Sequence, residues 1–94
     1  MKSIKSRELV RKLSGKGFCV DNKDHIYLKL VYNNKITSVY TKVSHGSKDI
    51  GQPILGKIKR QLRFEDNGQF WDFVNCSLSY EDYIRYLKSK GIIK

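Results

Sequence analysis

Histidine is the residue type in this sequence best suited to acid–base chemistry, and the chain has only two, His25 and His45. His25 stands among Lys23, Tyr27 and Lys29, where an alternating strand pattern begins. A histidine both accepts and donates a proton near neutral pH, and neighbouring cations stabilise charge that develops on a phosphate. Because RNA supplies its own nucleophile, the 2′-hydroxyl group, such a cluster could cleave RNA without a metal ion. The alternative is an ordinary histidine at the start of a strand.

The second histidine, His45, lies in a polar loop with Ser44, Ser47 and Lys48. Backbone N–H groups of such a loop, together with a lysine, are suited to holding a phosphate. The end of the third strand of an antiparallel meander also lies near the start of the second strand. We therefore expect His45 either to bind a phosphate or to act as the general acid partner of His25. A solvent-exposed loop histidine without a role is the alternative.

The other reactive residues form no catalytic pattern. The sequence lacks HExxH, GxSxG, a phosphate-binding glycine loop and the paired carboxylates of metal-dependent nucleases, so we predict neither a metal site nor a cofactor. Cys19 and Cys76 have no metal-ligand spacing and are too few for a disulfide framework. We expect both to be reduced and mostly buried, as in a cytoplasmic protein. Tyr27 and Tyr40 could stack on bases, although tyrosines of a half-exposed sheet are more often packing residues.

Positive charge is concentrated in the first two thirds of the chain. The net charge is +10; residues 1–63 carry 15 basic and 4 acidic side chains, whereas residues 64–94 carry 4 and 5. This asymmetry favours a polyanion-binding surface on the first part. Nucleic acid suits that surface better than a membrane, because the sequence has no strongly amphipathic basic helix, no bilayer-spanning apolar run and no secretory signal. A merely solvated, lysine-rich surface is the alternative.

Periodicity predicts the elements that must position these residues. We expect helices over 6–14 and 53–62, strands over 18–20, 25–32 and 36–43, and two further helices within 64–94. Ser6 would cap the first helix, and Ser79 would open the last one through a capping box with Asp82. The helix over 53–62 would bury Ile54, Leu55, Ile58 and Leu62 and expose Lys57 and Arg60.

The resulting order is α-β-β-β-α followed by two helices, which predicts an α+β single domain over residues 1–94. Its core, residues 6–63, would have the architecture of double-stranded-RNA-binding domains, with a helical extension over residues 64–94. Both helices of the core would cover one face of an antiparallel meander. His25, Tyr27 and Lys29 would then lie on the open face.

Three segments between residues 6 and 63 share their order and spacing with a known family. They are Ser6-Arg7-Glu8-Leu9 with Gly17-Phe18; Asp24-His25-Ile26-Tyr27; and Val43-Ser44-His45-Gly46-Ser47-Lys48-Asp49-Ile50, running on to Leu55 and Ile58. Together they resemble the HicA family of toxins. The resemblance implies a double-stranded-RNA-binding-like fold. It also implies that the chain is the toxin of a type II toxin–antitoxin system, a metal-independent mRNA endoribonuclease that is neutralised by a HicB-type antitoxin.

The resemblance also implies that His25 is the catalytic residue. The family's usual Gly-Ser-His-x-x-aromatic motif is here Lys23-Asp24-His25-Ile26-Tyr27, so a rigid alignment on Tyr27 would put Asp24 at the catalytic position. A one-residue bulge restores the alignment on His25. Aspartate is also a poor base toward a 2′-hydroxyl group.

Two other interpretations stay open, a non-catalytic RNA-binding module of the same fold and a protein-interaction domain. In the RNA-binding interpretations the contacts would come from Lys23, Tyr27, Lys29, Lys48, Lys57 and Arg60. Residues 64–94, which short family members lack, are rich in aromatic residues. We expect internal packing for Phe70, Phe73, Ile84 and Leu87, and contact with an antitoxin or a second copy of the chain for the tyrosines that remain exposed.

Overall fold

The computed structural model describes residues 3–46, 48–75 and 77–93, which form four helices and three strands. They are, in chain order, α1 (Ser6–Ser14), β1 (Phe18–Asn22), β2 (Ile26–Tyr32), β3 (Lys35–Val43), α2 (Gln52–Gln61), α3 (Asn67–Val74) and α4 (Tyr80–Ser89). The α+β class and the α-β-β-β-α order followed by two helices are confirmed. β1 extends two residues further than expected, and β2 begins one residue later.

The three strands form one antiparallel sheet in the order β1-β2-β3. The turn between β2 and β3 holds Asn33 and Asn34 at φ 58° and 63°. A two-residue hairpin turn of this kind needs left-handed conformations, which asparagine tolerates better than most residues. The chemistry of this turn explains why β3 returns directly alongside β2.

A register shift interrupts the pairing of β2 with β3 just after Lys29. The Thr37 hydroxyl is placed at this irregularity. It donates a hydrogen bond to the carbonyl of Leu30 (2.9 Å) and accepts one from the N–H of Val39 (3.2 Å). The Thr37 side chain thus supplies hydrogen bonds in place of the backbone hydrogen bonds between strands that a bulge removes.

The helices cover one face of the sheet, and one apolar cluster has members from all seven elements. Its fully buried residues include Leu9, Leu13, Leu28, Leu30, Val39, Leu55, Phe70, Phe73, Val74, Tyr83 and Leu87. The opposite face of the sheet stays open, as predicted. Within the described residues, no helix has the length and apolarity needed to cross a membrane.

The described residues after Arg63 also contribute to this cluster. The four residues for which internal packing was predicted are buried, namely Phe70, Phe73, Ile84 and Leu87. The tyrosines of α4 donate hydrogen bonds to earlier carbonyls: Tyr80 to Val31 (2.8 Å), Tyr83 to Leu62 (2.7 Å) and Tyr86 to Arg63. Tyr83 is fully buried, and burial raises the pKa of its hydroxyl far above the usual range. The hydroxyl groups of these three tyrosines are therefore used inside the chain.

Both ends of α4 follow local sequence signals. At the start of α4, Ser79 Oγ accepts a hydrogen bond from the N–H of Asp82 (3.1 Å), and the Asp82 carboxylate accepts one from the N–H of Ser79 (3.5 Å). The predicted capping box is therefore confirmed. Gly91 follows α4 at φ 72°, the conformation that favours glycine after a helix.

Three local predictions are wrong. Ser6 does not cap α1, because Lys5 is the residue before the helix and Ser6 is buried within its first turn. Ile54 is 53% exposed, because it faces a surface cleft at the first turn of α2 and not the sheet. Cys19 is exposed, because strand alternation turns its side chain to the open face. Cys76 lies outside the described residues.

Candidate nucleic-acid interface

His25 lies in the turn before β2, one residue outside the strand. Lys23 holds this turn from two sides: its N–H donates to the carbonyl of His25 (2.9 Å), and its own carbonyl lies 2.8 Å from Nε2 of His45. The sequence predicts that the His25 ring shares the open face with Tyr27 and Lys29. It does not, because β2 begins only after His25. It lines a separate cleft of about 190 Å³, the His25 cleft, between the end of β3 and α2.

The opposite wall of the His25 cleft is α2. Ile58 anchors this helix in the core, and the buried hydroxyl of Thr41 on β3 donates a hydrogen bond to Oε1 of Gln61 (2.6 Å). These contacts fix α2 along β3, so that Lys57 borders the cleft. Lys42, next to the end of β3, lines the cleft as well. The fold therefore brings one histidine and two lysines to a single depression.

Asp24 lies beside the His25 ring. Its Oδ1 accepts a hydrogen bond from the N–H of His25 (3.0 Å), and its Oδ2 lies 3.5 Å from Nδ1 of the ring. Nδ1 is shielded from solvent and has no hydrogen-bond partner among the described residues. The side chain of His25 is 42% exposed, so its exposed surface belongs to atoms other than Nδ1. The hydrogen bond from His25 and the nearby imidazole also hold the pKa of Asp24 below its usual value.

Uncompensated positive charge continues from the cleft along α2. Lys42, Lys57, Arg60 and Arg63, here called the basic strip, line the His25 cleft and the adjoining depression. Within the described part of the chain, none of these four side chains forms an ion pair with a carboxylate. Such a run of unpaired cations provides a favourable electrostatic potential for phosphates.

In the loop after β3, Nε2 of His45 contacts the carbonyl of Lys23 in the turn before β2. A carbonyl oxygen only accepts hydrogen bonds, so the contact of His45 with Lys23 requires a proton on Nε2 of His45. His45 therefore supports the turn that carries His25, and in the described residues the two rings make no direct contact. Lys48 lines a neighbouring depression outside the His25 cleft. Ser47 lies outside the described residues.

The open face carries a second, wider depression of about 560 Å³, the open-face groove. It is lined by Lys23, Tyr27, Lys29, Ile36, Thr37, Ser38 and Tyr40. The rings of Tyr27 and Tyr40 lie 6.4 Å apart, and Nζ of Lys29 lies 5.9 Å from the centre of the Tyr27 ring. Asp21 accepts a hydrogen bond from Lys29 (3.2 Å) and pairs with Lys23 (3.5 Å), and these contacts lower its pKa.

No family model, curated protein or solved structure matches this chain. Functional inference therefore depends on its own residues and geometry. Among the described residues, no group of three or more His, Cys, Asp or Glu side chains is arranged to hold a metal ion.

The structure divides the predicted binding residues between separate places. Lys23, Tyr27 and Lys29 border the open-face groove, whereas Lys57 and Arg60 belong to the basic strip. Sequence reasoning did not assign binding roles to three further residues, Lys42, Gln61 and Arg63. Alternation along β3 places Lys42 on the same face as Tyr40, and this signal was available in the sequence. The contact of α2 with β3 that brings Gln61 to the cleft has no comparable local signal.

Proposed function

We propose that this chain binds RNA along the basic strip and cleaves it in the His25 cleft without a metal ion. The observation that carries the proposal is the juxtaposition of His25 with Lys42 and Lys57, two cations that have no carboxylate partner in the part of the chain that the structure describes. A phosphate held between the lysines would be within reach of the exposed side of the imidazole. The cations would stabilise the additional negative charge of the phosphorane.

The proposed reaction is an internal transesterification. Nε2 of His25 accepts the proton of the 2′-hydroxyl group while the 2′-oxygen forms a bond to phosphorus. The bond from phosphorus to the 5′-oxygen of the next nucleotide breaks, and that oxygen takes a proton from the protonated imidazole or from water. The products are a 2′,3′-cyclic phosphate and a 5′-hydroxyl end.

The geometry favours His25 over Asp24 as the base. A general base works best when its pKa lies near the working pH, and the pKa of Asp24 is held below its already acidic usual value. The main cause is the hydrogen bond from the N–H of His25, which stabilises the carboxylate. Asp24 is therefore better suited to orienting the ring.

The architecture also supports a more specific proposal, that the ribonuclease is the toxin of a toxin–antitoxin pair. Helices α1 and α2 lie against one face of a three-stranded meander, the arrangement we expect for a double-stranded-RNA-binding-like fold. Together with the resemblance to HicA toxins, this supports a cytoplasmic mRNA endoribonuclease of a toxin–antitoxin pair. Its protein partner would be a HicB-like antitoxin.

Incubation of the purified chain with a mixed-sequence RNA in excess EDTA tests the proposal. We expect cleavage to persist and the new ends to be 2′,3′-cyclic phosphates or the 3′-phosphates derived from them. His25→Ala should slow cleavage by at least about 100-fold, the usual scale for losing a general acid–base group. The readouts are the time course on a denaturing gel and mass spectrometry of the ends.

Asp24→Asn is the matched control, because it keeps the size of the neighbouring side chain and removes its charge. We expect this variant to slow cleavage less than His25→Ala does. Loss of cleavage in EDTA, or full activity of a folded His25→Ala protein, would contradict the proposed mechanism. RNA binding without any cleavage would instead favour a non-catalytic RNA-binding module.

A further inference from the structure

The open-face groove lies beside the His25 cleft, on two neighbouring strands. Tyr27 of β2 is paired directly with Lys42 of β3, and the first residue lines the groove while the second lines the cleft. Side chains of directly opposed residues on one face of a sheet have Cβ atoms about 5 Å apart. One nucleotide has a similar reach between its phosphate and its base. A phosphate in the cleft would therefore place an adjoining base over the groove.

The lining of the groove suits a nucleobase. Tyr40 is 47% exposed and its ring is tilted by 32° against that of Tyr27, so the pair presents aromatic surface to solvent. Ile36, 59% exposed, adds an apolar wall, and Ser38 adds a hydroxyl group able to donate or accept a hydrogen bond. Aromatic side chains beside cations are the usual platform for unpaired bases.

The charge around the groove also fits a nucleic acid. Lys23 and Lys29 share the single carboxylate of Asp21, which leaves net positive charge at the rim. The basic strip continues this potential on the other side of Lys42. A nucleotide base is flanked by two phosphates, which require cations on both sides of the aromatic pair that stacks on the base. A bound protein segment would not require this arrangement of charge.

We infer that the Tyr27–Tyr40 pair stacks on an unpaired base next to the cleaved phosphate, and that the substrate is single-stranded at the cleavage site. The inference depends on the proposed function, because the cleft supplies the phosphate to which this base is attached. A base within a duplex is stacked on both sides and cannot reach the groove. The groove would therefore make the protein select unpaired RNA, whereas the basic strip alone would bind any phosphate backbone.

The test uses the full chain and a fluorescent 2′-O-methyl RNA oligonucleotide of mixed sequence, which is not cleaved. Binding is measured for the single strand, for its duplex, and for a single strand with one abasic position. We expect Tyr40→Thr to weaken single-strand binding about 5- to 100-fold, the range for losing one stacked base. Tyr40→Phe should retain wild-type affinity, and neither variant should change duplex binding. The abasic position should weaken binding to the wild type but have little additional effect on Tyr40→Thr.

The comparison variant is Lys57→Gln, which should weaken binding of single strand and duplex alike. If Lys57→Gln weakens binding but Tyr40→Thr and the abasic position do not, the stacking inference is overturned and the proposed RNA binding stands. The groove would then serve another occupant, such as a protein strand or a second copy of the chain. If no RNA binds at all, the proposed function fails and the inference fails with it.

Discussion

The two histidines differ in which ring atoms are available for chemistry. The exposed part of the His25 ring borders a cleft with two cations, whereas Nε2 of His45 is engaged with the carbonyl of Lys23. That contact fixes a proton on Nε2 of His45, so this nitrogen cannot at the same time deliver a proton to a leaving group. The N–H of Lys23 in turn donates a hydrogen bond to the carbonyl of His25. His45 is thus a positioning residue for the turn that carries His25.

We therefore expect His45→Ala to lower turnover by about 10-fold, the cost of losing one hydrogen bond of about 1.4 kcal/mol at the turn. The Michaelis constant should change little, because His45 lies outside the basic strip. His45→Gln can still donate a hydrogen bond to the Lys23 carbonyl and should recover most of the activity. Steady-state kinetics of the two variants decide this. A rise in the Michaelis constant alone would show that His45 binds the substrate phosphate.

Residue-scale prediction from the sequence succeeded where strand alternation alone decides the placement of a side chain. Tyr27 and Lys29 lie on the open face, as their spacing from the buried Leu28 and Leu30 required. His25 did not follow this rule, because the bend before β2 removes it from the ladder by one residue. The alternation of residues along a strand predicts which face of the sheet a side chain lies on, but it does not predict the residue at which pairing with the next strand begins.

At the scale of elements, three segments meet at Gly17. This residue has φ 88°, and a Cβ atom added to it would lie 2.4 Å from the ring of Tyr80. The Tyr80 hydroxyl donates to the carbonyl of Val31 at the end of β2 (2.8 Å), and the N–H of Val31 donates to the carbonyl of Gly17 (3.0 Å). Glycine is thus required both for backbone conformation and for the approach of α4 to the sheet.

Gly17→Ala should lower the free energy of unfolding by about 2 to 4 kcal/mol, from left-handed strain together with overpacking against Tyr80. Gly15→Ala is the matched control, because Gly15 has an ordinary helical conformation and no heavy atom within 3.5 Å of its added Cβ. That variant should be neutral or slightly stabilising. Urea unfolding followed by circular dichroism measures both. If the two variants are equally stable, α4 can move away from position 17 at little cost in free energy.

The sequence predicted elements better than the contacts between them. Helix periodicity, the two asparagines of the β2–β3 turn and the Ser79 capping box are local signals, and the structure follows each of them. The position of α2 along β3 depends on the contact of Thr41 with Gln61, which are 20 residues apart. The cleft is made by that long-range contact, so its set of residues could not be predicted from local pattern.

At the scale of the whole molecule, residues 64–94 complete the core and support the proposed interface. Tyr83 and Tyr86 donate hydrogen bonds to the carbonyls of Leu62 and Arg63, directly after α2. The tail therefore fixes the end of the helix that carries Lys57 and Arg60, two of the four residues of the basic strip. Seven of the nineteen buried apolar side chains of the described residues come from this tail, among them Phe70, Phe73, Ile84 and Leu87, for which the sequence predicts internal packing.

A chain ending at Arg63 should therefore fail to fold. Each large apolar side chain stabilises a fold by about 1.5 to 3 kcal/mol when fully buried, so the loss of seven buried ones removes about 10 to 20 kcal/mol, which is comparable to or larger than the roughly 5 to 15 kcal/mol by which small domains are stable. We expect the shortened chain to show no cooperative thermal unfolding by circular dichroism and no protection of the β2–β3 amides from hydrogen exchange. Leu87→Ala in the full chain is the graded control, which should remain folded with a stability lower by about 2 to 5 kcal/mol. A shortened chain that unfolds cooperatively and binds RNA would show that α3 and α4 are dispensable for the core. Their apolar surfaces would then be available to an antitoxin or to a second copy of the chain.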